Sequence, residues 1–259
     1  MQSIQTGIPW FLISMYIFFS PSSLGAEQVL ESQTGFSIPQ PVKSIKRYQL
    51  YATNYYVYPA KSIEDGVRIR NIKGDVLSDS ISSLDYCLGG VEGSIFTTLN
   101  GKAQTLNFHK VSNIQYADCK AVLKGREGKL SAGAVRAAGY MVYYSAKNTY
   151  GDDVKSRALV PYRTIAVDPN VIPMGSIIYI PLARKQLITL PNGERILHDG
   201  YFIAYDNGGS KAVSGNHIDI FCGLKAHCLT NIADTGKTFE AMTVALSDKD
   251  KKMLTIWTY

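Results

Sequence analysis

Hydrophobic and polar positions divide the chain into stretches of different texture. Residues 1–26 contain no Asp, Glu, Lys or Arg, and Ile8–Phe19 is an almost unbroken apolar and aromatic run that Pro21, Ser22 and Ser23 interrupt. That run falls short of the roughly 20 residues a membrane span needs, and the small residues Ser23, Gly25 and Ala26 follow it, so residues 1–26 read as a cleaved secretory signal peptide. An uncleaved anchor is the alternative, and only then would the protein meet a membrane. Residues 27–45 are polar and contain Pro39 and Pro41, the texture of an irregular N-terminal arm.

Strand character begins at Arg47 and runs to Val57, a stretch rich in aromatic and β-favouring residues. Between Lys61 and Tyr150 the pattern breaks into short amphipathic pieces separated by glycine turns, with a helix predicted from a Ser78 cap to Cys87 and a strand pair from Gly93 to Phe108. After Arg157 it is β again: Thr164–Val167, Ser176–Ile180, Gly200–Tyr205, His217–Phe221 and a last strand in Phe239–Leu246, with Lys249–Lys252 as a solvated charge run. Short strands joined by Pro and Gly turns, without long helices between them, predict a mainly β fold, a small barrel or a sandwich. The first strand is separated from the rest by about the length of a small domain. The expected layout is therefore one β domain from residues 46–60 and 151–259, carrying residues 61–150 as an inserted α+β lobe.

Composition narrows the class. With 46% hydrophobic and 19% charged residues the chain is neither disordered nor fibrous, and its 259 residues suffice for one elaborate domain or two small ones. A net charge of +6 favours an anionic polymer as partner, without separating cell wall from nucleic acid or membrane surface. Export would place Cys87, Cys119, Cys222 and Cys228 where disulfides persist, and their two sequence clusters pair Cys87 with Cys119 and Cys222 with Cys228 by proximity. The rival reading is zinc held by His217, Cys222, His227 and Cys228, although the spacing matches no familiar finger.

Three aspartates at strand ends form the densest chemical constellation: Asp168, Asp206 and Asp219. Asp168 before Pro169 fits an Asx-turn, and Asp206 before Asn207-Gly208-Gly209 fits ordinary turn chemistry. Asp219 is different, because strand alternation sends it opposite Ile218 and Ile220, within a strongly apolar segment. A carboxyl in such partly dry surroundings is the kind that keeps a proton for general acid catalysis.

The segments Arg163-Thr164-Ile165-Ala166-Val167-Asp168-Pro169, Val171-Ile172-Pro173-Met174-Gly175, His198 through Gly209 and Gly215-Asn216-His217-Ile218-Asp219 together resemble the three-aspartate (3D) domain in order and spacing, and Ala52-Thr53-Asn54-Tyr55 resembles its first strand. Three features depart from the family pattern, the first being Asn207 where the family has threonine. Ser210-Lys211 lengthens the stretch between Asp206 and Asp219, and Ser214 stands where the family has lysine, with Lys211 as the candidate substitute ammonium.

The resemblance implies a six-stranded double-psi β-barrel like that of membrane-bound lytic transglycosylase A, with the inserted lobe walling one side of a glycan cleft. It implies cleavage of the β-1,4 bond between N-acetylmuramic acid and N-acetylglucosamine in peptidoglycan, closing a 1,6-anhydro ring. By position, Asp219 becomes the acid/base, Asp206 and Asp168 its carboxylate companions, and Thr53, Tyr55, Gly208, Gly209, Lys211 and Asn216 candidate groove residues. Neither metal nor cofactor is implied. The expected partner is a peptidoglycan strand and not nucleic acid, met in the periplasm or cell envelope by a monomer. The other readings on such a barrel are an inverting hydrolase using two of the carboxylates and a non-catalytic, expansin-like wall-binding module.

Overall fold

The computed structural model describes residues 36–126, 130–208 and 213–255. The signal-like segment, residues 27–35 of the arm, Gly209 and Lys211 lie outside the described residues. In chain order the elements are β1 (Ser44–Tyr55), β2 (Tyr58–Pro59), β3 (Ser62–Val67), α1 (Ser83–Glu92), β4 (Ser94–Leu99), β5 (Lys102–Val111), α2 (Cys119–Val122), α3 (Ala132–Ala138) and β6 (Met141–Ser145). They continue with β7 (Thr164–Val167), β8 (Ile177–Tyr179), β9 (Leu187–Thr189), β10 (Arg195–Leu197), β11 (Tyr201–Asp206), β12 (His217–Phe221), β13 (Phe239–Val244) and α4 (Asp248–Met253).

Six strands close into a barrel in the order β1-β12-β7-β11-β8-β13. β1 is long enough to serve two neighbours. Its first half pairs antiparallel with β13, from Ser44 opposite Val244 to Leu50 opposite Phe239, and its second half pairs parallel with β12. β7 and β11 form the other parallel pair. A parallel pair cannot be closed by a tight turn, so the chain must travel before it returns to β1, and the second sheet and most of the barrel lie in between.

Alternation fills the barrel. Tyr48, Leu50 and Ala52 of β1 point inward while Arg47, Gln49 and Tyr51 do not, and Leu50, Ala52, Ile165, Val167, Ile178, Phe202, Ala204, Ile218, Ile220 and Ala241 share one core. Beside it Arg163 is fully buried and forks onto Asp199, with Nη1 to Oδ1 at 2.6 Å and Nη2 to Oδ2 at 2.9 Å. The neighbouring His198 accepts the Gly200 N–H at Nδ1 (2.8 Å) and donates from Nε2 to the Tyr162 carbonyl (2.8 Å), and burial, reinforced by the Arg163 charge, lowers its pKa to about 4. The His198-Asp199-Gly200 run of the sequence pattern is thus a structural brace.

The segment between β1 and β7 builds a core of its own. β2, β4, β5 and β6 form a four-stranded sheet, and α1 to α3 pack on it around Tyr86, Cys87, Ile95, Leu106, Ala138 and Tyr143. The disulfide Cys87–Cys119 ties α1 to α2, and Cys222–Cys228 closes the loop after β12, which matches the proximity pairing. α1 begins later than its predicted start at Ser78. Ser78 is buried, and its hydroxyl accepts the Ile69 N–H at 2.9 Å, so it is spent on a loop; the cap is Ser82, which accepts the Asp85 N–H at 3.0 Å. The predicted charge run becomes α4, an exposed turn of helix capped by Ser247.

Candidate active site

The parallel register of β1 and β12 aligns Tyr51 with His217, Thr53 with Asp219 and Tyr55 with Phe221. Ala52, Ile218 and Ile220 go into the barrel core, so alternation puts Tyr51, Thr53, His217 and Asp219 together on the opposite face. On that face the Thr53 hydroxyl donates to Asp219 Oδ1. His217 Nε2 lies 2.7 Å from Thr53 Oγ1 and 3.2 Å from Asp219 Oδ1. The Tyr51 ring stacks flat on the imidazole, with centroids 4.8 Å apart and planes 5° apart. The Asp219 side chain is 17% exposed, enough to meet a ligand and too little for full hydration.

Asp206 ends β11 and registers against Ala166, the β7 residue that Asp219 registers against from the other side. The two carboxyls therefore stand on strands two spacings apart, roughly 10 Å between backbones. Burial raises the Asp206 pKa, opposed by the N–H groups of Asn207 and Gly208 and by the Tyr55 hydroxyl, with the Asp153 charge adding to the rise. The Tyr55 hydroxyl is itself buried and faces Asp206 outside ordinary hydrogen-bond geometry. Its ring packs on Phe221 with centroids 5.0 Å apart.

Asp168 sits just beyond β7, and its carboxylate is occupied. It accepts the N–H and the side-chain amide of Asn170 (2.9 and 3.0 Å), closing an Asx-turn, and the N–H of Gly215 at 2.8 Å. The Gly215 and Asn170 donors hold its pKa below the usual carboxylate range. Asp168 thereby fastens the far end of the stretch between Asp206 and Asp219. At the near end Gly208 has φ +64°, and a Cβ there would fall 2.4 Å from Val213 Cγ2, so the position admits glycine alone without strain. Asn216 enters through its backbone, its carbonyl accepting the Tyr51 N–H at 3.1 Å.

Sequence reading gave three groups of this site no role beside Asp219 or Asp206, His217 having been considered only as a zinc ligand. His217 carried a signal, since alternation places it on the Asp219 face. Glu92 carried none: it ends α1 in the second sheet's half of the molecule, accepts the Tyr56 N–H and lies within electrostatic range of Asp219. Burial, with the Asp219 charge added, raises its pKa to about 8. Asp153, buried and paired with Arg157 at 2.6 Å, brings its charge to bear on Asp206 from the segment before β7. The zinc arrangement is not formed: Cys222 and Cys228 are joined to each other, His227 Nδ1 meets Asp234 at 3.3 Å and His217 faces Thr53. The result is a partly dry carboxyl with one oxygen tied down by a hydroxyl, further carboxyls at a distance, and an aromatic ring at its edge.

Residues 163–244 match the family model of the 3D domain. Among solved structures the chain is similar to E. coli MltA with bound chitohexaose, at 17% identity over 75% of this chain and 71% of that one, with a TM-score of 0.49. It is also similar to a membrane-bound lytic murein transglycosylase from Agrobacterium tumefaciens (14% identity, 76% and 75% of the two chains, TM-score 0.46). A third is the lytic transglycosylase LtgG of Burkholderia pseudomallei (15% identity, 88% and 80%, TM-score 0.41). The search of curated proteins finds no match. The segment that matches the 3D-domain model runs from Arg163 to Val244 and holds all three aspartates.

Proposed function

We propose that this protein is a peptidoglycan lytic transglycosylase in which Asp219 alone serves as acid and base. The observation that carries the reading is the setting of Asp219: a half-buried carboxyl on a barrel face, inside a 3D domain, with Oδ1 held by Thr53. The crossed parallel pairs β1/β12 and β7/β11 support reading the barrel as double-psi. We read residues 61–150, which build a core of their own, as the inserted lobe that walls the cleft.

With Oδ1 occupied, Oδ2 is the oxygen that meets substrate. In the proposed reaction Asp219 gives its proton to the glycosidic oxygen as the bond to C1 breaks. The carboxylate left behind takes the proton of the muramoyl C6 hydroxyl while that oxygen attacks C1 and closes the 1,6-anhydro ring. Ordinary glycosidases need a second carboxylate as nucleophile or to activate water. An internal hydroxyl removes the need, because its attack is unimolecular. Asp206, kept toward its neutral form by burial, adds less like charge beside the reaction than a solvated carboxylate would. Asp168 anchors the loop through Gly215. Export to the cell envelope is supported by the two disulfides.

The mass of the products released from purified sacculi tests the chemistry. Anhydro-muropeptides are expected; products heavier by one water would assign the barrel to a two-carboxylate hydrolase instead.

A further inference from the structure

The reaction above uses Asp219 and the hydroxyl of Thr53 but not the imidazole beside them. His217 Nε2 lies within hydrogen-bond reach of Thr53 Oγ1 at 2.7 Å and faces Asp219 Oδ1 at 3.2 Å, with Tyr51 stacked on the ring. Among the described residues no Lys or Arg is paired with Asp219, so the imidazole is the group at its side able to take up positive charge. The other ionisable groups around the pair are carboxyls and phenols: Glu92, within range of Asp219, Asp206 further along the face, and Tyr51 and Tyr55 on β1.

Thr53 has one hydroxyl proton, so a chain from Asp219 through Thr53 to His217 must be polarised in one direction or the other. In one state protonated Asp219 donates to Thr53 Oγ1, and the Thr53 hydroxyl donates to a neutral Nε2. In the other the imidazolium Nε2–H donates to Thr53 Oγ1, and the hydroxyl donates to the Asp219 carboxylate. Passing between them moves two hydrogens one step each and turns a carboxylic acid and imidazole into a carboxylate and imidazolium, with no atom gained or lost.

We propose that His217 is a positioning residue that shares the catalytic proton with Asp219 through the Thr53 hydroxyl. This rests on reading Asp219 as the acid/base. Once the glycosidic oxygen has taken the proton, the pair is left as a carboxylate and a neutral imidazole, with the Thr53 hydroxyl donating to Asp219; the proton that Asp219 then takes from the C6 hydroxyl restores the shared proton before the next turnover. Sharing makes the two groups titrate as a unit, and the pH at which activity is lost on the alkaline side belongs to the pair. Imidazolium groups free in water release a proton at about pH 6.5 and aspartic acids at about 3.9, so taking the imidazole out of the pair is expected to move the alkaline limb toward acid.

The test measures kcat and KM for release from sacculi between about pH 4 and about pH 9, spanning both ranges, in wild type and His217→Gln. Glutamine keeps an N–H for Thr53 and cannot take up a proton. The alkaline limb of kcat is expected to move toward acid by about 1 to 2 pH units in the variant, with KM within about twofold. A uniform drop in kcat that leaves the limb in place would overturn the proposal, since that is what a merely structural histidine gives. A second readout needs no turnover: the pH response of the His217 imidazole signals by NMR in wild type, Thr53→Val and Asp219→Asn. Sharing requires both substitutions to change that response, and an unchanged response in both would overturn it. An inactive wild type with coupled imidazole signals would sink the glycan-cleaving reading while leaving the shared proton standing.

Discussion

Thr53 and Asp219 are 166 residues apart in sequence and face each other across the parallel seam of β1 and β12, the hydroxyl of one bonded to the carboxylate of the other. A donor fixed on one oxygen selects which oxygen works. Removing it while keeping the shape tests this: Thr53→Val is expected to lower kcat by about tenfold, of the order a lost charge-assisted hydrogen bond gives. Thermal unfolding of the variant should stay close to wild type, because the site is part-exposed and valine suits a strand. An unchanged kcat would show that the bond does not orient the acid.

Glu92 links the second core to the site, and its sign is calculable. Burial lifts its folded pKa from an ordinary 4.5 to about 8, so its native environment favours the protonated form. The associated stability is present below the unfolded value and is lost as pH rises through about 8. Glu92→Gln keeps the acceptor for the Tyr56 N–H and removes the ionisation. Melting temperatures of variant and wild type are expected to coincide near pH 4 and to diverge at alkaline pH in favour of the variant. Equal pH dependence in the two proteins would refute the buried setting of this carboxyl.

Arg163 and Asp199 form a buried, bidentate pair. Burial pushes the Asp199 pKa up, but the Arg163 charge and its hydrogen bonds outweigh it, and the net shift is down. The stability this shift contributes is present above the unfolded carboxyl range and lost as pH falls through the folded value. Asp199→Asn leaves a guanidinium buried without its counter-charge and is expected to cost about 3 to 5 kcal/mol at neutral pH. Urea unfolding at neutral and acid pH checks both parts, with the gap between variant and wild type narrowing in acid.

The face of Asp219 was legible in the sequence because β12 alternates from His217 to Ile220, and the disulfide pairs because their cysteines are close in the chain. The partner of Asp219 was legible as a candidate but not as a contact. Thr53 reaches it only through the parallel register of two distant strands, which no local pattern encodes. Glu92 was invisible for the same reason, being placed by the packing of a second core. The start of α1 was misplaced because Ser78 and Ser82 are equal as caps in composition, and only the fold shows which hydroxyl is already engaged.

Gly208 carries the entry to the stretch between Asp206 and Asp219. Alanine there would be forced into φ +64° and against Val213, so Gly208→Ala is expected to destabilise by about 1 to 3 kcal/mol. Activity is expected to fall further than stability, since the same backbone supplies N–H groups to Asp206. Denaturant unfolding alongside release from sacculi measures the two effects; equal stability with wild type would mean that the loop relaxes around the methyl group.

The assignment of acid and base to one carboxyl is tested most directly by incubating sacculi with Asp219→Asn beside wild type and measuring soluble muropeptide. Wild type is expected to release 1,6-anhydro products, and the amide variant, isosteric and without a proton to give, to fall by at least about 100-fold while remaining folded. Release by the variant at the wild-type rate would contradict the account.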